Sequence, residues 1–416
     1  MMSPSPDAAS IERPYGWVVA LASLLMMAIA MGATYVVIVA LKPIALEFGW
    51  PRAVPSLSYS LALFGAGLGG LFMGRWSDRV GMGPPALTGG IMIAAGAVLA
   101  SGSTGALQLY VAHGLLIGLL GNGAMFGPLV ANATRWFDRR RGIAVGIVTC
   151  GQSVAGAVWP PVLRYLTETV GWRQTFVYYG VFALCTLVPL SLLLRPMPPA
   201  QRDTPARLRE AATGHVVGLP AGLVQAMLCL AIVGCCVAMA MPMVHVIAHA
   251  TDLGYPTTRA AELLSVLLAC AVLSRLIYGA AAYRIGGLRT LLLVSAGQAV
   301  MLATFTGVES LPGLYAVSAL FGLAFGGIVP AYALIVRELF PSAEAGWRIA
   351  TVFFFGTIGM ALGGWLGGLI FDLAGGYRLA FLVGVGFNLT NLALVGALTW
   401  RQARAAPLGA AAACNG

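Results

Sequence analysis

Charged side chains are scarce in this chain, at 9% of its 416 residues, against about 25% in an ordinary soluble domain. That scarcity excludes a soluble globular fold, because the 59% of residues that are hydrophobic would leave too much apolar surface facing water. Concentrated basic sequence is missing too. The net charge of +10 comes from arginines scattered between apolar runs rather than from a basic domain, so nucleic acid is not an expected partner. The seven cysteines form no CxxC pair and show no metal-ligand spacing, which leaves them as small packing residues and predicts no metal site. No nucleophile with a matching base, no phosphate-cradling loop and no paired catalytic carboxylates occur, and the polar segments are too short for a soluble domain. The expectation is therefore a protein that is not an enzyme and carries no cofactor. The opening segment MMSPSPDAAS lacks the basic stretch of a secretory signal, and the apolar run after it is too long for one, so the first helix is expected to stay in the protein.

What is abundant is long apolar sequence. A helix that crosses a bilayer needs about 20 mostly apolar residues, and such runs fall near 15–40, 54–75, 85–104, 108–130, 143–164 and 174–195, then near 221–249, 258–282, 288–308, 312–336, 346–371 and 377–399. Twelve spans put both termini on one side. Placing the termini in the cytoplasm gives that side seventeen of the 24 Lys and Arg residues, the other side six, with Arg275 inside a span. Cytoplasmic loops hold such an excess, which predicts a multi-pass protein of the cell inner membrane with cytoplasmic termini. Gly, at 54 residues, suits membrane helices that approach closely.

An internal repeat appears at an offset of 205 residues. Gly74, Arg79 and Gly81 answer Gly279, Arg284 and Gly286, with Asp78 matched by Tyr283. Gly171-Trp172-Arg173 and Phe176 answer Gly376-Tyr377-Arg378 and Phe381. Two matches in one register indicate two related halves. The expected organisation is an N-terminal six-helix half over 1–195, a Pro-rich charged linker over 196–218, a C-terminal six-helix half over 219–400 and a tail over 401–416.

Gly74-x-x-x-Asp78-Arg79-x-Gly81, between the second and third spans, resembles the cytoplasmic loop signature of the major facilitator superfamily. Met82 and Gly83 stand where many members carry basic residues, which thins the charge network. The resemblance covers essentially the whole chain. It implies an all-α membrane protein of twelve helices in two pseudo-symmetric halves, usually monomeric, with Asp78 pairing with Arg135 or Arg141 to hold the cytoplasmic side closed. A plain solvated loop charge is the other reading of Asp78. Tyr15-Gly16-Trp17, Phe48-Gly49-Trp50-Pro51-Arg52, the run from Gly118 through Asn122 and Phe126 to Pro128, and Trp136-Phe137 leading to Arg141 resemble the monocarboxylate and oxalate/formate branch.

Arg275 lies within the eighth span, where a cation costs about 2.5–3.5 kcal/mol on insertion scales. A planar guanidinium can grip a carboxylate through two parallel hydrogen bonds, and the resembled branch places an arginine on this helix for that purpose. The alternative is that Arg275 snorkels to the nearby cytoplasmic end. An Asp common one turn earlier in that branch is Ala271 here, so no resident counter-ion is evident. The resembled oxalate exchanger uses a second cation on its eleventh helix, whereas the eleventh span here carries only Arg348, at its end, so the resemblance does not extend to dicarboxylate exchange.

His245 and His249 share a helical face after Met241-Pro242-Met243, and with His113 they are the candidates for proton coupling. A helix-end hydrogen bond is the bland reading of the pair. Tyr35, Asn122, Phe126, Phe321 and Phe325 complete the expected substrate site, the aromatics from the resemblance, although rings at helical spacing also serve as packing. Gly146, Gly151 and Gly156, and Gly356, Gly359, Gly363 and Gly367, form stripes suited to sliding or to plain close packing.

Together these features predict a secondary transporter of an organic monocarboxylate, taken up with a proton or another ion by alternating access. Efflux of an amphipathic metabolite or drug, and a transport-inactive receptor, are the alternatives. The implied partners are a small organic anion and the lipid bilayer.

Overall fold

The structure, a computed structural model, describes residues 10–51, 53–199 and 213–412. Most of the expected linker lies outside them with Arg202, Arg207 and Arg209, as do the opening nine residues, Arg52, Cys414 and the end of the tail.

Among the described residues, twelve helices are long and apolar enough to cross a membrane. In the first half they are Tyr15–Val39, Val54–Val80, Gly83–Ser101, Ala106–Trp136, Arg141–Val170 and Trp172–Leu192. In the second they are Ala221–Asp252, Thr258–Ile285, Gly287–Phe305, Leu311–Leu339, Ser342–Ala374 and Tyr377–Arg404. Within a bilayer every backbone N–H and C=O must be satisfied inside the segment, which leaves the helix as the form an apolar 20-mer takes. Most of the helices run a few residues past their apolar stretches, because polar side chains in a last turn reach the headgroup layer. A hairpin pairs His215–Val216 with Leu219–Pro220 just before the seventh span.

The face where the first span begins and the twelfth ends is called the terminal face below, and its opposite the far face. The repeat is visible in the backbone. Gly81 and Gly286 both have positive φ, 83° and 84°, where the second and eighth spans turn into the next helix. L side chains rarely adopt that region, so glycine is required at both turns. The second matched pair is less regular: Gly171 has φ 82°, but in the other half the positive angle falls on Gly375, one residue before the matched position.

Small residues set the helix spacing. A methyl group on Gly69 would overlap the Leu119 carbonyl, and one on Gly118 would lie 2.6 Å from the Ala62 oxygen, so the second and fourth spans touch backbone to backbone. The fourth span is π-helical over Val111–Asn122, a rare form that often marks a functional segment. The glycine stripe of the eleventh span packs on the seventh: methyl groups on Gly359 and Gly363 would lie 2.7 and 2.5 Å from the carbonyl oxygens of Val233 and Val237.

On the far face, Arg173 clasps three connections. It donates to Glu47 on the short helix Leu41–Phe48 at 2.8 Å and to the carbonyls of Ser101 and Ser103 at 2.6 and 2.9 Å, and its guanidinium lies 4.4 Å from the Trp172 ring centre. Trp172 Nε1 donates to the other Glu47 oxygen at 2.6 Å. The hydrogen bond from Arg173 holds the Glu47 carboxyl below its ordinary pKa. A lowered carboxyl pKa stabilises the fold above the unfolded-state value and loses that contribution as pH falls through the folded-state value.

Two outcomes are expected. Gly69→Val destabilises the purified protein by about 1–3 kcal/mol through overpacking, read as a lower melting temperature. Glu47→Gln removes part of the melting-temperature loss that wild type shows between about pH 5 and pH 3.

Candidate functional site

Two seams join the halves at the terminal face. In the first, between the second and eleventh spans, a methyl group on Gly74 would lie 2.7 Å from the Gly346 oxygen and one on Gly346 would lie 2.6 Å from the Gly74 oxygen. In the second, between the fifth and eighth spans, methyl groups on Gly142 and Gly279 would each overlap the other's carbonyl. Gly74 and Gly279 are the repeat-related pair, and their partners Gly142 and Gly346 stand 204 residues apart. The same glycine contact is therefore built twice, once by each half.

The first seam also carries charge. Asp78 accepts backbone N–H bonds from Gly346 at 2.9 Å and Trp347 at 3.1 Å, in the first turn of the helix Ala345–Ala374, and pairs with Arg135. A carboxylate is favoured there because the first-turn N–H groups lack helical partners and the helix dipole is positive at that end. Arg135 also reaches the Ser342 carbonyl at 3.3 Å. Of the two expected partners of Asp78, Arg135 is the one in contact; Arg141 donates to the Thr134 and Phe137 carbonyls at 3.0 Å each and so caps the fourth span. Arg79 is exposed at the second span's end, one residue before Val80, and Gly81 makes the turn.

Arg275 sits in the second seam. It is 7% exposed, its Nη1 donates across the seam to the Thr149 carbonyl, and its Nε has no partner among the described residues. No carboxylate pairs with it among the described residues. Ten residues separate it from the end of its helix, so its head group bonds laterally rather than reaching the interface.

A cavity of about 90 Å³ lies above the first seam. Its walls come from both halves: Met31, Leu63, Gly67, Gly70, Phe126, Gly127 and Gln152 face Ala350, Phe353, Phe354 and Thr357. Phe126 and Phe353 meet at 5.0 Å between ring centres. Gln152 and Thr357 supply polarity that the sequence reading missed. Gln152 is the sole amide side chain in the fifth span, and it lies three residues beyond Thr149, hence on the same helical face. The cavity and the Arg275 head group are thus joined by one turn of the fifth span.

The other expected site residues are spread more widely. Tyr35 stands over Gly156, where a methyl group would lie 3.1 Å from the phenol oxygen. Asn122 is fully buried at the end of the π-helical stretch, with both amide atoms unpartnered among the described residues. Phe321 and Phe325 are buried inside the second half, 5.4 Å apart between ring centres, and Phe321 meets Phe305 edge-on. The histidines pack against aromatics of the repeat. His113 bonds the Leu109 carbonyl at 2.9 Å and meets Phe176 edge-on, while His249 meets Phe381 and Tyr377 edge-on. His245 Nε2 lies 3.0 Å from the Gly364 carbonyl and its ring stacks on Tyr377.

Comparison with known proteins adds to this geometry. The family model described as Major Facilitator Superfamily matches residues 23–274 and 226–412. Monocarboxylate transporter 13 of Bos taurus is 28% identical over 391 residues, covering 91% of this chain and 88% of that protein. Monocarboxylate transporter 11 of Mus musculus is 28% identical over 407 residues, covering 94% and 88%. The fucose:proton symporter FucP of E. coli superimposes with a TM-score of 0.69 at 15% identity, over 93% of this chain and 99% of that one, a likeness of fold.

Replacing Asp78 by Asn removes the charge that holds Arg135. With the native cysteines substituted, Ala350→Cys at the cavity wall is expected to react roughly tenfold faster or more with a maleimide applied from the terminal face in the Asp78→Asn background. An unchanged rate would show that the glycine contacts alone close this face.

Proposed function

The chain belongs to the major facilitator superfamily and is related to its monocarboxylate branch, and from that premise we propose that it is a proton-driven transporter of organic monocarboxylate anions, with Arg275 as the anion anchor. The observation that carries the reading is a buried guanidinium with no carboxylate partner among the described residues, resting on one neutral carbonyl across the seam between the halves. A carboxylate offers the guanidinium two parallel hydrogen bonds and a full opposite charge, where the carbonyl offers one bond and a partial charge. An arriving anion therefore outcompetes the Thr149 carbonyl.

Binding and motion follow from the same exchange. With the terminal-side seams closed, substrate enters from the far face and settles beside Phe126, Phe353, Gln152 and Thr357. Gln152 and Thr357 offer hydrogen bonds, and the phenyl rings take the apolar part of the molecule. As the carboxylate draws the Arg275 head group away from Thr149, the fifth–eighth seam loses its cross-link, and the cavity opens to the terminal face. The anion and guanidinium form a neutral pair while the carrier turns. The accompanying proton offsets the charge that the anion would otherwise move across the membrane potential. We place the terminal face in the cytoplasm of the inner membrane, as the arginine excess predicts, and take the carrier as a monomer that uses the ion gradient and no cofactor.

The test is uptake of short and aromatic monocarboxylates into proteoliposomes, with and without an inward proton gradient. Gradient-stimulated uptake is expected, reduced about 10- to 100-fold in Arg275→Ala and partly retained in Arg275→Lys, which keeps the charge but loses the planar fork. Unimpaired uptake by Arg275→Ala would remove the anchor. Absence of carboxylate uptake would turn the reading to efflux of amphipathic compounds, which the phenyl-lined cavity also suits.

A further inference from the structure

The second seam carries a feature that the transport cycle does not use. At its terminal-face end lies a groove of about 610 Å³, lined by Arg139, Arg140 and Ile143 of the first half and by Ile277, Tyr283 and Arg284 of the second. Gly279, which meets Gly142 across the seam, is part of its lining. The groove wall is apolar and uncovered: Ile277 is 50% and Tyr283 58% exposed. The rim is cationic.

The two seams differ in how they neutralise their arginines. At the first, Arg135 has Asp78. At the second, the repeat places Tyr283 where Asp78 stands, and none of the Arg139, Arg140 and Arg284 guanidinium groups pairs with a carboxylate among the described residues. Two acids beside Arg139 and Arg140 take main-chain and hydroxyl hydrogen bonds instead of a guanidinium. Glu12 accepts the backbone N–H groups of Arg139 and Arg140 at 2.8 and 2.6 Å, and Asp138 accepts from the Ser10 hydroxyl at 2.7 Å. Closing the terminal face thus gathers three unpaired cations from two halves around one groove, and like charges brought together oppose that closure.

We propose that this groove binds an anionic phospholipid, with the phosphate on Arg139, Arg140 and Arg284 and an acyl chain along Ile143, Ile277 and Tyr283. Basic pockets between membrane helices at the headgroup level suit phosphate headgroups, and arginine matches phosphate oxygens through bidentate bonds. The apolar wall is what selects a lipid over a free phosphate ion, which would leave that wall uncovered. Because the arginines come from both halves, the bound lipid bridges the fifth–eighth seam and favours the state in which the terminal face is closed. In that role it takes the place that Asp78 holds at the other seam.

The test is native mass spectrometry of the full-length protein in detergent, titrated with phosphatidylglycerol, phosphatidylcholine or inorganic phosphate. Wild type is expected to retain phosphatidylglycerol and not phosphatidylcholine, with phosphate in large excess failing to displace it. The Arg139→Gln/Arg140→Gln/Arg284→Gln variant is expected to bind phosphatidylglycerol about 10- to 100-fold more weakly. A triple Lys variant keeps the charge and is expected to retain most of the binding, which separates loss of the site from loss of the fold. Equal retention of both lipids, displacement by phosphate, or unchanged affinity in the Gln variant would each overturn the proposal. Loss of binding in both the Lys and the Gln variants would also overturn it, because charge would not be the determinant.

Discussion

A cation held in an apolar membrane interior has to find an acceptor, and Arg275 finds one in the Thr149 carbonyl across the seam. The rest of the molecule is organised around that contact. The guanidinium reaches Thr149 because Gly146 lets the fifth and eighth spans approach: a methyl group there would lie 3.0 Å from the Arg275 carbonyl oxygen. One turn further along the same helix, Gln152 opens onto the cavity. The site where charge is stored and the surface where the halves part are one structure. Under the proposed function, ligand capture and gate release need no longer-range coupling than that.

The two seams show how a duplicated fold becomes asymmetric. Both are closed by glycine pairs that bring backbones into direct contact, Gly74 with Gly346 and Gly279 with Gly142. Close packing of this kind is strong while it lasts and involves few side chains, so it can be broken and re-formed without repacking a core. Electrostatics then distinguish the seams. One has a carboxylate bound to an arginine and to a helix N-terminus, and the other has an arginine bound to a carbonyl beside a groove rimmed with arginines. The first is satisfied within the chain, while the second has cations to offer to anions from outside.

Much of the fold was legible in the sequence, because span length and apolar content are dictated by bilayer thickness. The repeat was legible where it serves geometry: Gly81 and Gly286 recur since both turns need positive φ, and Gly74 and Gly279 recur since both spans meet a partner backbone. Arg275 was legible because a charge inside a span is conspicuous. Its partner was not, since a backbone carbonyl has no residue identity. The choice between Arg135 and Arg141 for Asp78 also required coordinates, because both arginines flank the same loop. Phe321 and Phe325 show the limit of aromatic spacing: the interval between rings does not say whether a helix face meets a cavity or its own half. Gln152 carried a usable signal, a lone amide in an apolar helix.

The central claim is that a carboxylate arriving at Arg275 releases the terminal face. The most direct measurement is the distance between spin labels at Arg79→Cys and Ala343→Cys, exposed positions on either side of the second–eleventh seam, recorded with and without a transported monocarboxylate. The account predicts a single short distance in the empty protein and a longer population on adding the anion, with no such population in Arg275→Ala at the same concentration. A distance distribution that ignores a bound carboxylate, or that lengthens equally in Arg275→Ala, would contradict it.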